Sequence, residues 1–222
     1  VSSFCSSLSF NPEETIPAFI RIEKINLTSD YAHEGTASHI ITDAWVYIDD
    51  DIIGAFELPA VIPILKHGKQ KISIKPGIQL NGTASTRSLY PFYNSIELEV
   101  DLIEDNITDL GVLTTTYNSS TKFIWKEDFE QGGISIDQTS KSDTVILRTS
   151  APEKSFEGWS GLISLNALQT IYEGVSNLDY DLPRNESSVF LELNYKTNNT
   201  FTVGLFRSEE HTSELQSHSD LV

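Results

Sequence analysis

The sequence predicts an all-β fold of two tandem β-sandwich modules, the second of them truncated. Short apolar runs alternate with polar residues at period two, not at the helical period. These runs recur roughly every 8–12 residues and are separated by Gly, Pro, Asn and Asp, as in sandwiches and barrels. An apolar fraction of 39% with 10% aromatics is enough to build a core and argues against global disorder.

Residues 1–16 read as a polar leader containing Pro12. The first module, residues 17–118, starts with a strand in which Phe19, Arg21, Glu23 and Ile25 alternate with Ile20, Ile22, Lys24 and Asn26. His39 to Tyr47 is rich in β-formers, places Trp45 mid-strand as a core residue, and leads into Asp49-Asp50-Asp51. Ile52 to Leu58 and Ala60 to Leu65 follow, with Pro59 and Pro63. Lys71 to Lys75 alternates cleanly, whereas Thr83 to Tyr90 reads as a loop. Ser95 to Asp101 aligns Ile96, Leu98, Val100 and Leu102 on one face, and Thr108 to Tyr117 closes the module with β-branched residues.

Asn118-Ser119-Ser120 is a short polar link. A second module, residues 122–206, opens with FIWKEDFEQGG and continues through Thr144 to Arg148 and the glycine-rich SFEGWSGLISL. It is expected to end in two strong strands, Ser188 to Tyr195 and Phe201 to Phe206, joined by Lys196 to Thr200. Arg207 to Ser217 reads RSEEHTSELQS, which resembles the frame-by-frame translation of a common sequencing adapter. Residues 207–222 are therefore read as an artefactual tail, and His211 and His218 enter no metal argument.

The formal net charge is −17. The tail sets Arg207 against Glu209, Glu210, Glu214 and Asp220, a net of −3, which leaves −14 for the rest. A surface this acidic repels phosphate backbones and anionic headgroups, so nucleic acid is not an expected partner. No run of roughly 18 apolar residues is present, so no helical membrane span is expected. Cys5 is the single cysteine, so no intrachain disulfide can form. With Ser2 and Ser3 before it and a polar stretch after it, Cys5 reads as a lipid-acceptor cysteine or as an ordinary cysteine near a terminus.

The segment AWVYIDDDIIGAFELPAVIPILKHGKQKISIKPGI resembles the PEGA-type β-modules of bacterial envelope proteins. Asp49 to Asp51, Gly54, Pro59 and Gly68, followed by the Lys71 to Lys75 strand, carry that resemblance. More broadly, the chain is similar to uncharacterised Gram-negative envelope lipoproteins. In those, a PEGA-like domain precedes a jelly roll that opens on W-x-E-D-F-E, here Trp125, Glu127, Asp128, Phe129 and Glu130. A jelly roll needs about eight strands, more than residues 122–206 hold at ordinary strand and loop lengths. The resemblance implies export to the cell envelope and anchoring at the outer membrane through Cys5, although Phe4 departs from the small residue expected there. Any membrane association would then run only through the lipid anchor.

Four constellations could carry chemistry. Glu99, Asp101 and Glu104 form an E-x-D-x-x-E run that resembles the catalytic strand of laminarinase-type glycoside hydrolases. On a regular strand Glu99 and Asp101 share a face and Glu104 points to the other, so the run also reads as the solvated face of a half-buried strand. Asp49 to Asp51 reads as a solvated hairpin tip or a calcium site. No cofactor is expected; Asp128 and Glu130 read either as candidate ligands of a structural calcium or as charges guarding an edge strand. Trp159, between Gly158 and Ser160-Gly161, could stack on a sugar ring from an exposed loop or anchor a core. Trp125 reads as core. His33 and His39 lack a trustworthy zinc spacing, and no G-x-S-x-G turn or phosphate loop is present.

The expectation is a non-catalytic cell-envelope (lipo)protein that binds surface glycan or serves adhesion, with no catalytic residues. The alternatives are a glycoside hydrolase using Glu99, Asp101 and Glu104, and a structural module that binds an envelope protein through a sheet edge.

Overall fold

The computed structural model describes residues 15–83, 85–183 and 187–206. Cys5, nearly all of the leader and the tail 207–222 lie outside the described residues. Within them the fold is essentially all-β with curved, sandwich-like sheets, and the helical structure is the four-residue α1 (Tyr31–Glu34) and one 3-10 turn (Leu80–Gly82). The chain divides into two compact units. One comprises the residues up to Thr28 and His39–Asn118; the other comprises Ser29–Ser38 and the chain from Ser119 onward.

The first unit holds β1 (Ala18–Thr28), β2 (Asp43–Ile48), β3 (Asp51–Glu57), β4 (Ala60–Ile64), β5 (Gly68–Gln79), β6 (Arg87–Leu89), β7 (Ile96–Leu102) and β8 (Ile107–Thr116). One sheet has the order β4-β1-β8, with β1 antiparallel to β4 and parallel to β8. The other has the order β3-β2-β5-β6, and β7 also pairs with β5. Both sheets turn their apolar residues into one cluster: Ile20 and Ile22 (β1), Ile62 and Ile64 (β4), Val46 and Ile48 (β2), Ile72 and Ile74 (β5), Val100 and Leu102 (β7). Period-two alternation puts these side chains on the same side of each strand.

On β1 the alternation is interrupted. Its register against β8 shifts between Arg21 and Ile22 and again between Ile22 and Lys24. The buried set therefore changes from Ala18, Ile20 and Ile22 to Ile25 and Leu27, as a bulge requires. The acidic triple spans the β2–β3 hairpin. Asp49 and Asp50 both lie at positive φ (50° and 68°), the backbone of a two-residue hairpin turn, and Lys66 Nζ reaches Asp49 Oδ2 at 3.0 Å.

Two expectations about this unit are corrected. Thr83 to Tyr90 is not all loop, because Arg87–Leu89 pairs with Gly77–Gln79. Polar contacts hold this three-residue strand, not a periodic apolar pattern: Arg87 pairs with the buried Asp43 carboxylate and with Glu57 Oε2 at 2.6 Å. Trp45 lies mid-strand but on the face away from the core, because the neighbouring Ala44 and Val46 are the buried ones. Its ring lies against Gly77, where an added Cβ would sit 2.8 Å from Trp45 Nε1 and 3.0 Å from Asp43 Cβ. Gly77→Ala is therefore expected to destabilise the unit by about 1–3 kcal/mol through overpacking. Urea unfolding would check this, and the added loss should shrink when Trp45→Ala is introduced first.

The second unit holds β9 (Ile136–Gln138), β10 (Ile146–Thr149), β11 (Ser160–Ile163) and β12 (Gly174–Ser176), paired antiparallel as β9–β12 and β10–β11. No apolar side chain of this unit is fully buried among the described residues; Thr144 is the buried one. The strand-like runs Ser188 to Tyr195 and Phe201 to Phe206 form no strand, and all but Phe201 and Val203 are exposed. Their composition is right for strands, but a strand exists only where a partner accepts its ladder, and none of the described strands pairs with them.

Polar clips organise this unit. Asp143 accepts from the backbone N–H groups of Thr170 (2.8 Å) and Ile171 (2.9 Å) and from the Thr170 hydroxyl. Those backbone hydrogen bonds hold the Asp143 carboxyl below its ordinary value. Glu173 is lowered likewise by the Thr139 hydroxyl and then Lys141. A depressed folded value means that the stabilisation is fully present above the unfolded value, about 3.9 for an aspartate. It is lost as the pH falls through the lower folded value. Hydrogen exchange at the Thr170 and Ile171 amides is expected to lose protection as the pH falls below about 4. In Asp143→Asn that acid-induced loss should be largely absent and protection should be weaker at neutral pH.

Candidate functional site

The residues with the most organised exposed chemistry lie in the second unit, around the segment 125–130. Its backbone is fixed by its own side chains. Glu127 accepts from Phe129 N (2.7 Å) and from Ser135 N and Oγ (2.5 and 2.7 Å), and Asp128 Oδ1 accepts from Glu130 N (3.0 Å). Trp125 is half-buried, not fully in a core, and donates from Nε1 to Ser135 Oγ at 2.9 Å. Phe129 sits at φ 60°, a region non-glycine residues seldom occupy, and its ring packs over Gly161 of β11.

Arg148, projecting from β10, reads the carbonyls that this bend exposes. Its Nε donates to Phe129 O at 2.6 Å and its Nη2 to Glu130 O at 3.2 Å. The same guanidinium lies over the Trp159 ring, 4.4 Å from its centroid. Glu130 Oε1 accepts the Trp159 backbone N–H at 2.8 Å. Gly158, at φ 57°, faces the Glu130 carboxylate so closely that a side chain there would collide with it. Trp159 is thus held from its backbone by Glu130 and across its ring by Arg148, yet remains 38% exposed.

The structure brings together two residues singled out from the sequence, Glu130 and Trp159. Asp128 is on the same segment, with Oδ2 3.4 Å from Lys126 Nζ. Backbone N–H groups bond one oxygen of each of the Asp128 and Glu130 carboxylates, and the Lys126 ammonium neighbours the other oxygen of Asp128. No group of three or more His, Cys, Asp or Glu able to hold a metal occurs among the described residues. Asp49 to Asp51, on their hairpin turn, belong to no such group either.

Glu99 and Asp101 lie in the first unit on the exposed face of β7, opposite Lys71 and Lys69 of β5. Glu104 lies past the end of that strand, 3.4 Å from His67 Nε2. No bulge in β7 turns it toward the other two, because the β5–β7 register is continuous from Gly68↔Leu102 to Ile74↔Ile96.

Neither Arg148, which reads as one more polar residue of a strand, nor the segment Ser29–Ser38 stands out in the sequence as part of a site. That segment belongs to the second unit. Lys126 Nζ donates to Tyr31 O (2.9 Å) and Ala32 O (3.3 Å), Thr36 Oγ1 donates to Glu157 Oε2 (2.8 Å), and Ser38 Oγ donates to Asn194 Oδ1 (2.8 Å). Burial raises the Tyr31 phenol above its ordinary value, and the carboxylates of Asp128, Glu130 and Glu157 add to the rise.

Comparison with known proteins returned no matching family model, no matching curated protein and no matching solved structure. No helix among the described residues is long and apolar enough to cross a membrane.

Proposed function

We propose that the chain is a non-catalytic cell-envelope protein whose second unit binds neutral glycan at Trp159. The observation that carries this is the Trp159 ring itself. It is large, exposed and rigidly presented, backed by Arg148 and fixed by Glu130. An indole plane of this kind matches the apolar C–H face of a sugar ring. The carboxylates beside it offer acceptors for sugar hydroxyls and repel acidic sugars.

In this reading the two units are tandem β-sandwich modules, the first PEGA-like and the second part of a jelly roll. The many exposed apolar side chains of the second unit, Leu147, Leu168 and Leu178 among them, support its being part of a larger sandwich. Export to the outer membrane and acylation of Cys5 rest on the sequence resemblance. Labelling of the full gene product with a fatty-acid analogue, lost in Cys5→Ala, tests them.

Affinity electrophoresis through gels containing dextran, laminarin or xylan tests the binding. At least one of these polymers should retard the protein, and Trp159→Ala should migrate as in a polymer-free gel. Equal retardation of the variant, or no retardation of the wild type by any of them, would refute the assignment.

A further inference from the structure

We infer that Tyr31 is a second aromatic platform of the Trp159 site, so that the ligand is an oligosaccharide or polysaccharide of neutral sugars and not a single sugar or an organic cation. The inference rests on the glycan reading of Trp159 and extends it.

The two rings are built alike. Each has a cation over it: Arg148 over Trp159 at 4.4 Å, Lys126 over Tyr31 at 5.1 Å. In each case backbone carbonyls hold that cation, those of Phe129 and Glu130 for Arg148 and those of Tyr31 and Ala32 for Lys126. Both rings remain exposed, Trp159 at 38% and Tyr31 at 45%. The segment 126–130 ties them together, because Lys126 is its first residue and Arg148 grips its last two carbonyls. Glu130, bonded to the Trp159 backbone, is also among the carboxylates that act on Tyr31.

This construction selects the ligand class. A ring with a cation already on one face has its quadrupole engaged, so it is a poor cage for a second cation. What it still offers is an apolar plane of fixed orientation. Two such planes anchored to one segment offer a sugar chain two stacking contacts where a single sugar could use one. Asp128, Glu130 and Glu157 disfavour sulfated or uronic-acid chains and can accept hydroxyl protons. Tyr31 stands far from Trp159 in the sequence and reaches the site because Ser29–Ser38 belongs to the second unit.

Affinity electrophoresis across a range of polymer concentrations gives a dissociation constant for whichever of dextran, laminarin and xylan retards the wild type. Tyr31→Leu should raise it about tenfold, the loss of one stacking contact. Tyr31→Phe, which keeps the ring, should stay within about twofold. Lys126 bonds the Tyr31 carbonyl and not the phenol, so both variants retain the anchor of the segment. If Tyr31→Leu binds as the wild type while Trp159→Ala does not, Trp159 acts alone: this inference falls and the proposed function stands. If Trp159→Ala also binds as the wild type, or nothing retards the wild type, both fall. Equal retardation by hyaluronan would overturn the neutral-sugar assignment.

Discussion

Ile72→Ala is expected to cost the first unit about 2–5 kcal/mol, whereas Lys71→Ala, one residue earlier, should change stability by less than about 0.5 kcal/mol. Ile72 is 0% exposed and sits on β5 between Ile48 of β2 and Leu98 of β7. Removing its branches leaves a cavity that close-packed neighbours from three strands fill only in part. Lys71 faces the other way, is exposed, and opposes Glu99 across the ladder, where water screens the attraction between the two charges. Urea unfolding at constant m-value reads the difference as a shift in midpoint. Similar effects from the two substitutions would mean that the faces of β5 are not divided as described.

Trp159→Ala is expected to weaken glycan binding at least tenfold, about 1.4 kcal/mol or more, while leaving the fold in place. The ring is 38% exposed, so its removal takes little from a core. Arg148 keeps its bonds to the Phe129 and Glu130 carbonyls, so the bend at 129 survives without the indole. Trp159→Phe should recover part of the affinity, because a smaller plane still covers part of a sugar ring. Circular dichroism of both variants should match the wild type. If the spectrum changes along with the binding, Trp159 supports the fold and is not itself the contact.

How much of this was legible in the sequence depended on burial. In the first unit β1, β5 and β7 are legible in their alternation, and β2, β3, β4 and β8 in their β-forming composition between turn residues. The β1 bulge shows only as a change of phase from Ile20 and Ile22 to Ile25 and Leu27, which strict period-two alternation along the whole strand passes over. β6 escaped notice because Arg87, Asp43 and Glu57 hold it, residues far apart in the sequence. Trp45 reads as core because a large aromatic mid-strand is usually inward, yet its alternation with Ala44 and Val46 points it outward.

The second unit was harder for the same physical reason. With no fully buried apolar side chain among its described residues, hydrophobic periodicity carried little information there. The runs at 188–195 and 201–206 had strand composition without a strand partner. At the site, Trp159 and Glu130 were visible as unusual residues in unusual surroundings. Their meeting, and the parts of Arg148 and Tyr31, were not visible, because side chain to backbone contacts between distant segments leave no mark on local sequence.

The most direct test is a glycan array probed side by side with the wild-type chain and Trp159→Ala. The account predicts wild-type signal confined to neutral oligosaccharides and rising from single sugars to longer chains, with those spots dark for the variant. Signal that survives the loss of the indole, or that favours sulfated or uronic-acid glycans, would contradict it.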